Sequence, residues 1–202
     1  MEMDEIIVFD VGSHCAISDD FYSFKNIKNY QNIIVYAFEP NVCVLNNIFG
    51  KLPNFIVIPM AVAEKNGFMT YHININDSTN SLLQFYDKNV DNWKSDKEKV
   101  TILKTIVPTI RLDTFMNENN IKSVEYLKID AQGYDYYVVK STGDRIRDIK
   151  KIQLEVQLKP LYSGSKDKKA VMDFLNSKGF KLLYATKQSY DQEENLYFER
   201  ID

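Results

Sequence analysis

The chain has 202 residues, 45% of them hydrophobic and 26% charged, and its 25 basic and 28 acidic side chains leave a net charge of -3. That length suits one domain with a sizeable buried core, and both fractions sit near the globular average, which excludes disordered and fibrous classes. The near-neutral balance argues against a nucleic-acid or acidic-membrane partner, because either would need a basic face.

Short apolar runs alternate with helix-like segments along the chain. Glu5–Asp10 is an apolar run that ends in a carboxylate, and Ile33–Glu39 repeats the design. Between them, Ser18 can cap a helix with Asp19 and Asp20 in its first turn and Ile17, Phe21, Phe24 and Ile27 at helical spacing. Asn41 can cap a second helix running to Phe49. Phe55–Ala61, Val124–Asp130 and Lys151–Val156 read as further strands, short and β-branched enough to be buried on both faces of a parallel sheet. Tyr134–Ser141 suits a third helix. The clearest helix is Ser165–Lys178, with Ala170, Val171, Phe174 and Leu175 on one face and Gly179 as its stop.

The middle of the chain breaks this rhythm. Gly67–Ile75 and Val100–Arg111 read as hairpin strands, separated by the polar stretch Asn76–Lys99 that holds the one tryptophan, Trp93. A connection this long is either a substrate lid or a surface insertion. Two last strands, Lys181–Ala185 and Asn195–Arg200, would close the sheet with an antiparallel edge. The expected fold is α/β, a Rossmann-like, mostly parallel sheet in a single domain over 1–202, with an inserted hairpin and loop at about 67–111.

No run approaches the ~18–20 apolar residues of a membrane helix. The acidic start, Met1-Glu2-Met3-Asp4-Glu5, has no secretory pattern, and Cys15 and Cys43 form no C-x-x-C pair. Two histidines, His14 and His72, are too few for a histidine-rich metal site. A cytoplasmic protein without membrane partner or metal is the expectation; the oligomeric state is not legible.

In an open parallel sheet, ligands bind beyond the carboxyl ends of the strands, where strand order reverses. Asp10, Glu39 and Asp130 each end a strand, and Glu155 lies one residue before the end of another. Acids often begin turns, but four on one edge cost energy unless ligands or hydrogen bonds offset them. The first turn, Asp10-Val11-Gly12-Ser13-His14-Cys15-Ala16, has one glycine where a dinucleotide fold wants G-x-G-x-x-G, and Asp10 would repel phosphate. S-adenosyl-L-methionine, phosphate-free and cationic, suits this turn better. Asp10 would attract its amine, or orient turn and water around it. Gly12 would let the backbone come close, and Glu39 would accept hydrogen bonds from the ribose hydroxyls.

Phe9-Asp-Val-Gly-Ser13, Tyr36-Ala-Phe-Glu-Pro40, Val107–Asp113, Leu127-Lys-Ile-Asp-Ala-Gln-Gly-Tyr-Asp135, Glu155 and Pro160–Gly164 together resemble the FkbM-type methyltransferases, over roughly Ile6 to Phe198. The resemblance implies S-adenosyl-L-methionine as methyl donor, a class I fold, and O-methylation of a sugar or other hydroxylated small molecule. It places Asp10 and Gly12 at the methionine end, Glu39 at the ribose and the Met60-Ala61-Val62 turn at the adenine; Ser13, His14 and Pro40 are read as further cofactor-binding residues, with His14 either bonding the cofactor carboxylate or standing as a solvated turn side chain. Many methyltransferases carry a second glycine near Cys15 or Ala16, and this chain has none. Weaker cofactor binding, or a non-catalytic binding module, is the rival expectation.

Methyl transfer from a sulfonium mainly needs alignment and exclusion of water, and a hydroxyl acceptor gains from a base. Asp130 and Glu155 are the candidate bases. Asp130 is equally placed to cap the Ala131–Gly133 turn. Gln132 and Tyr162 either line the acceptor pocket or shape their loops.

Overall fold

A computed structural model of the chain describes residues 5–14, 32–45, 54–86, 93–94 and 99–201. The expected helix around Phe21 and Phe24, the Cys15–Ala16 turn end and the stretch from Asn46 to Phe49 lie outside the described residues.

Ten strands are present among the described residues. Seven form one sheet: β1 (Ile6–Val11), β2 (Ile33–Phe38), β3 (Phe55–Ile58), β7 (Val124–Ile129), β8 (Ile149–Gln157), β9 (Phe180–Gln188) and β10 (Glu193–Arg200). Their order is β3-β2-β1-β7-β8-β10-β9. The first five run parallel, and β10 and β9 close the sheet as antiparallel neighbours. The apolar runs form this sheet because both of its faces are covered: Val8, Phe9, Val11, Ala37, Phe38, Leu127, Ile129, Ile152 and Leu154 are all buried.

Four short helices complete the described layers: α1 (Val42–Leu45), α2 (Leu112–Glu118), α3 (Asp135–Lys140) and α4 (Lys168–Ser177). Asn41 caps α1 as its sequence suggests, accepting the Cys43 N–H at 3.2 Å. Helix α4 starts later than Ser165 because Asp167 takes the cap, accepting the Ala170 N–H at 2.8 Å. Helix α2 was not expected from the sequence. It is only two turns long and earns its place through Leu112, Phe115 and Met116, which reach the core. There Phe115 meets Phe9, Tyr36 and Phe38 edge to face, with ring centroids 4.9–5.7 Å apart.

The break in rhythm is a second, three-stranded sheet of order β4-β6-β5, built from β4 (Ala61–Val62), β5 (Gly67–Asn74) and β6 (Thr101–Ile110). The expected strand Phe55–Ala61 is therefore divided: Pro59 ends β3, and Ala61 pairs with Thr109 in the other sheet. The stretch after β5 does not hang free where it is described. Trp93 is buried with Phe85, Leu161 and Tyr162, and the Gln192 side chain grips the Lys94 backbone from both sides. Gln192 Oε1 accepts the Lys94 N–H at 2.7 Å, while Gln192 Nε2 donates to the Lys94 carbonyl at 2.9 Å.

Candidate active site

Strand order reverses between β1 and β7, and a cleft of about 320 Å³ opens beyond their carboxyl ends. Its floor is the turn after β1. Gly12 has φ +72°, and a Cβ there would fall 1.8 Å from the Asp130 carbonyl oxygen, so only glycine lets the two strand ends meet. Gly12 N–H donates to the Phe38 carbonyl at 3.0 Å and Asp130 N–H to the Val11 carbonyl at 2.9 Å, so β2, β1 and β7 are tied together at this point.

Glu39, at the end of β2, is buried at the cleft wall. Oε2 accepts the His14 N–H at 2.9 Å and Oε1 the Asn41 N–H at 2.8 Å. Burial raises its pKa, and the two backbone donors pull it back down. Each carboxylate oxygen keeps acceptor capacity beyond the one bond it makes. Ser13, His14, Pro40, Ala61, Val62 and Asp130 line the same cleft. The insertion supplies wall residues that sequence reasoning missed, Tyr71 from β5 and Asp77, Asn80 and Ser81 from the segment that follows it. His14 Nε2 and Asp77 Oδ1, 3.2 Å apart, join the first turn to the insertion. Nothing local in the sequence announces this, because the two residues meet only through the tertiary fold.

Two expected residues stand behind the walls. Asp10 is not free to attract a cationic ligand: Lys128 donates to its Oδ1 at 2.9 Å and Ser13 Oγ to its Oδ2 at 2.8 Å, and it is fully covered. Burial alone would strip the Lys128 proton, but the charges of Asp10 and Asp130 and the hydrogen bond to Asp10 outweigh it and raise the pKa. Tyr162 is likewise buried, stacked on Phe85 with centroids 5.3 Å apart. Its hydroxyl donates to the Thr79 carbonyl at 2.8 Å and lies 3.0 Å from Gln132 Oε1. It braces Gln132, which does line the cleft.

Asp130 and Glu155 both face the cleft. Asp130 Oδ1 accepts from Gln132 Nε2 at 2.7 Å, a contact that orients the carboxylate. Burial, then the charges of Asp130, Glu193 and Asp135, push the Glu155 carboxyl well above the usual range. Asp135, at the start of α3, is raised to about 7 by burial and by Asp130. Burial also raises Glu193, another acid that the sequence reading missed. Glu155 and Glu193 become neighbours because β10 pairs antiparallel with β8, with Asn195 opposite Glu155 and Glu193 opposite Gln157. The two acids are thus diagonal on one face. Among the described residues, no group of three or more His, Cys, Asp or Glu is arranged to hold a metal ion. No described helix is long and apolar enough to cross a membrane.

Parallel strands reversing order at a glycine-floored turn, with an acid closing the neighbouring strand, define a Rossmann-like nucleoside-binding α/β protein. The comparisons make the class particular: residues 10–182 match the methyltransferase FkbM domain, and the chain belongs to that family. It is 22% identical over 181 residues to the 2-O-methyltransferase NoeI of Sinorhizobium fredii (strain NBRC 101917 / NGR234), covering 88% of this chain and 74% of that protein. Among solved structures, it is similar to the magnesium protoporphyrin IX methyltransferase ChlM of Synechocystis PCC 6803 with bound SAM. That similarity has a TM-score of 0.50 at 8% identity, covering 99% of this chain and 72% of the other. A SAM-dependent methyltransferase from Aquifex aeolicus aligns at TM-score 0.47 and 11% identity, covering 97% and 82%. The fold is that of the class I methyltransferases, and S-adenosylmethionine is the cofactor. The residues present fit it: the floor carries no side chain at Gly12, and Glu39 offers acceptors to a diol.

Proposed function

We propose that this methyltransferase transfers its methyl group to a hydroxyl of a small molecule or sugar. The observation that carries the reading is the pair of carboxyl groups, Asp130 and Glu155, facing the cleft whose floor is Gly12 and whose far wall holds Glu39. Glu39 accepts the two ribose hydroxyls, Pro40 lies beside that sugar, and Ala61 and Val62 flank the adenine. The Gly12-Ser13-His14 turn faces the methionine end. Asp10 acts at one remove, holding Lys128 and Ser13 so that the turn keeps its shape.

When bound, the cofactor supplies an activated methyl on a sulfonium, so the protein need not generate an electrophile. The protein's own work is alignment, exclusion of water and removal of one proton. Asp130, oriented by Gln132 and through it by Tyr162, sits where an acceptor hydroxyl would approach. Glu155 faces the same cleft and is the second candidate for that role. Gln132 contacts the acceptor; Tyr162 positions Gln132. The similarity to a 2-O-methyltransferase supports oxygen as the target atom.

Incubation with S-adenosylmethionine carrying a labelled methyl and a panel of hydroxyl, amine and thiol acceptors tests this reading. Label is expected on hydroxyl oxygen, with transfer strongly reduced in Asp130→Asn. Label on nitrogen or sulfur in preference to oxygen overturns it.

A further inference from the structure

S-adenosylmethionine is cationic at its sulfur and its amine, but it carries one anion, the carboxylate of its methionine end. Most of the cleft is hostile to that group, because Glu39, Asp77, Asp130 and Glu155 all line it. Among the described residues lining the cleft, Lys128 is the one lysine or arginine. His14 already faces Asp77. Sequence reasoning did not single out Lys128, which sits inside a strand.

The Lys128 side chain is only 8% exposed, and its Nζ carries three N–H groups. Asp10 Oδ1 accepts one of them at 2.9 Å, and Nζ makes no other hydrogen bond among the described residues. A buried ammonium with unfilled donors at a cavity wall marks the place of an acceptor that the protein does not supply. A second donor stands one strand over. Lys128 lies directly opposite Gln153 of β8, which also lines the cleft, so the two side chains leave the same face of the sheet. Gln153 is buried, and its Oε1 already accepts the Tyr126 hydroxyl. The end of Gln153 left for a ligand is therefore its amide donor.

On the placement of the cofactor proposed above, we infer that Lys128 and Gln153 together hold its methionine carboxylate. Lys128 donates an N–H that Asp10 does not use, and the Gln153 amide donates beside it. Bonds from an ammonium to a carboxylate are short and strong, the more so where water is excluded. Asp10 fixes where the ammonium stands before the ligand arrives. The covered aspartate at the end of β1 thus reaches the cofactor through the lysine.

The test is calorimetric titration of the full chain with S-adenosylhomocysteine and with S-adenosyl-3-thiopropylamine, which lacks the carboxylate and keeps the amine. The wild-type chain and Asp10→Asn should bind the first ligand at least about tenfold more tightly than the second. Adding Lys128→Met to Asp10→Asn removes the cation without stranding a buried aspartate. In that double variant the preference should all but vanish through weaker binding of S-adenosylhomocysteine. Unchanged affinity for the amine ligand shows that the variant is folded. Gln153→Leu, which leaves the ion pair intact, should reduce the preference severalfold and decides the matter if the double variant does not fold. Equal weakening of both ligands means a structural role only, and a preference retained in both variants places the carboxylate elsewhere; either overturns the inference. Equal binding of the two ligands by the wild-type chain overturns it as well, and leaves the two donors to an anion of the acceptor. A wild-type chain that binds neither ligand contradicts the cofactor placement itself, a different and separately visible failure.

Discussion

Lys128 Nζ lies 2.9 Å from Asp10 Oδ1, with side chains only 8% and 1% exposed, on positions directly opposite each other in β7 and β1. Lys128 lines the cofactor cleft, and Asp10 holds it from behind the turn that forms the cleft floor. The pairing explains why the aspartate that opens this turn is structural in the fold although it reads as a ligand in the sequence.

Breaking that pair leaves an uncompensated buried charge. Lys128→Met should cost about 3–5 kcal/mol of unfolding free energy, because Asp10 remains in place without its cation. Adding Asp10→Asn should restore part of the loss. Urea unfolding of the single and double variants measures the coupling, and strictly additive losses would show that the pair is not coupled.

Gly12→Ala places a Cβ 1.8 Å from the Asp130 carbonyl oxygen and a side chain at φ +72°. The β1 turn must then move away from β7. Affinity for S-adenosylhomocysteine should fall by more than roughly tenfold, since about 1.4 kcal/mol suffices for that and a strained left-handed residue alone costs about 1–3. Calorimetry on the folded variant checks it.

The raised Asp135 pKa, about 7 against 3.8, has a sign that can be worked out. In the folded chain the group holds its proton more tightly than in the unfolded chain. Folding therefore takes up protons between the two values, and this group's contribution to stability falls as pH rises from about 4 to about 7. Buried Glu155 acts in the same direction. Asp135→Asn keeps an oxygen for the Glu155 N–H, which the aspartate accepts at 3.2 Å, and removes the charge. Urea midpoints at pH 5 and pH 8 should fall less in the variant than in the wild-type chain. Parallel behaviour of the two would contradict the assignment.

Gln192→Ala removes both bonds to the Lys94 backbone and should cost about 1–3 kcal/mol. Trp93, the one tryptophan of the chain, is buried with Phe85, Leu161 and Tyr162 next to this anchor. Its fluorescence should shift to the red when the grip is lost. Unchanged emission would mean that the aromatic cluster around Phe85 holds Trp93 without help.

The strands of the main sheet were legible because burial on both faces demands continuous apolar runs, and Ile6–Val11 and Val124–Ile129 differ from their expected bounds by only a residue. Glu39 and Gly12 were legible because a strand end and a turn are local features. Helix α2 was not, since Leu112, Phe115 and Met116 gain their helical state from the core they meet. Neither was Glu193, whose meaning depends on pairing across β8 and β10, nor the wall that Tyr71 and Asn80 contribute from the insertion. Asp10 and Tyr162 were singled out by residue type. Their partners, Lys128 and Gln132 with Thr79, are what put them behind the site.

The most direct measurement is titration of S-adenosylhomocysteine into the wild-type chain and into Glu39→Ala, with NAD as a control ligand. The wild-type chain should bind S-adenosylhomocysteine and not NAD. The variant should bind at least about tenfold more weakly, as expected when hydrogen bonds to a charged group worth roughly 1.5–3 kcal/mol are lost. Equal binding by both proteins, with the variant folded, would contradict the placement of the cofactor against Glu39.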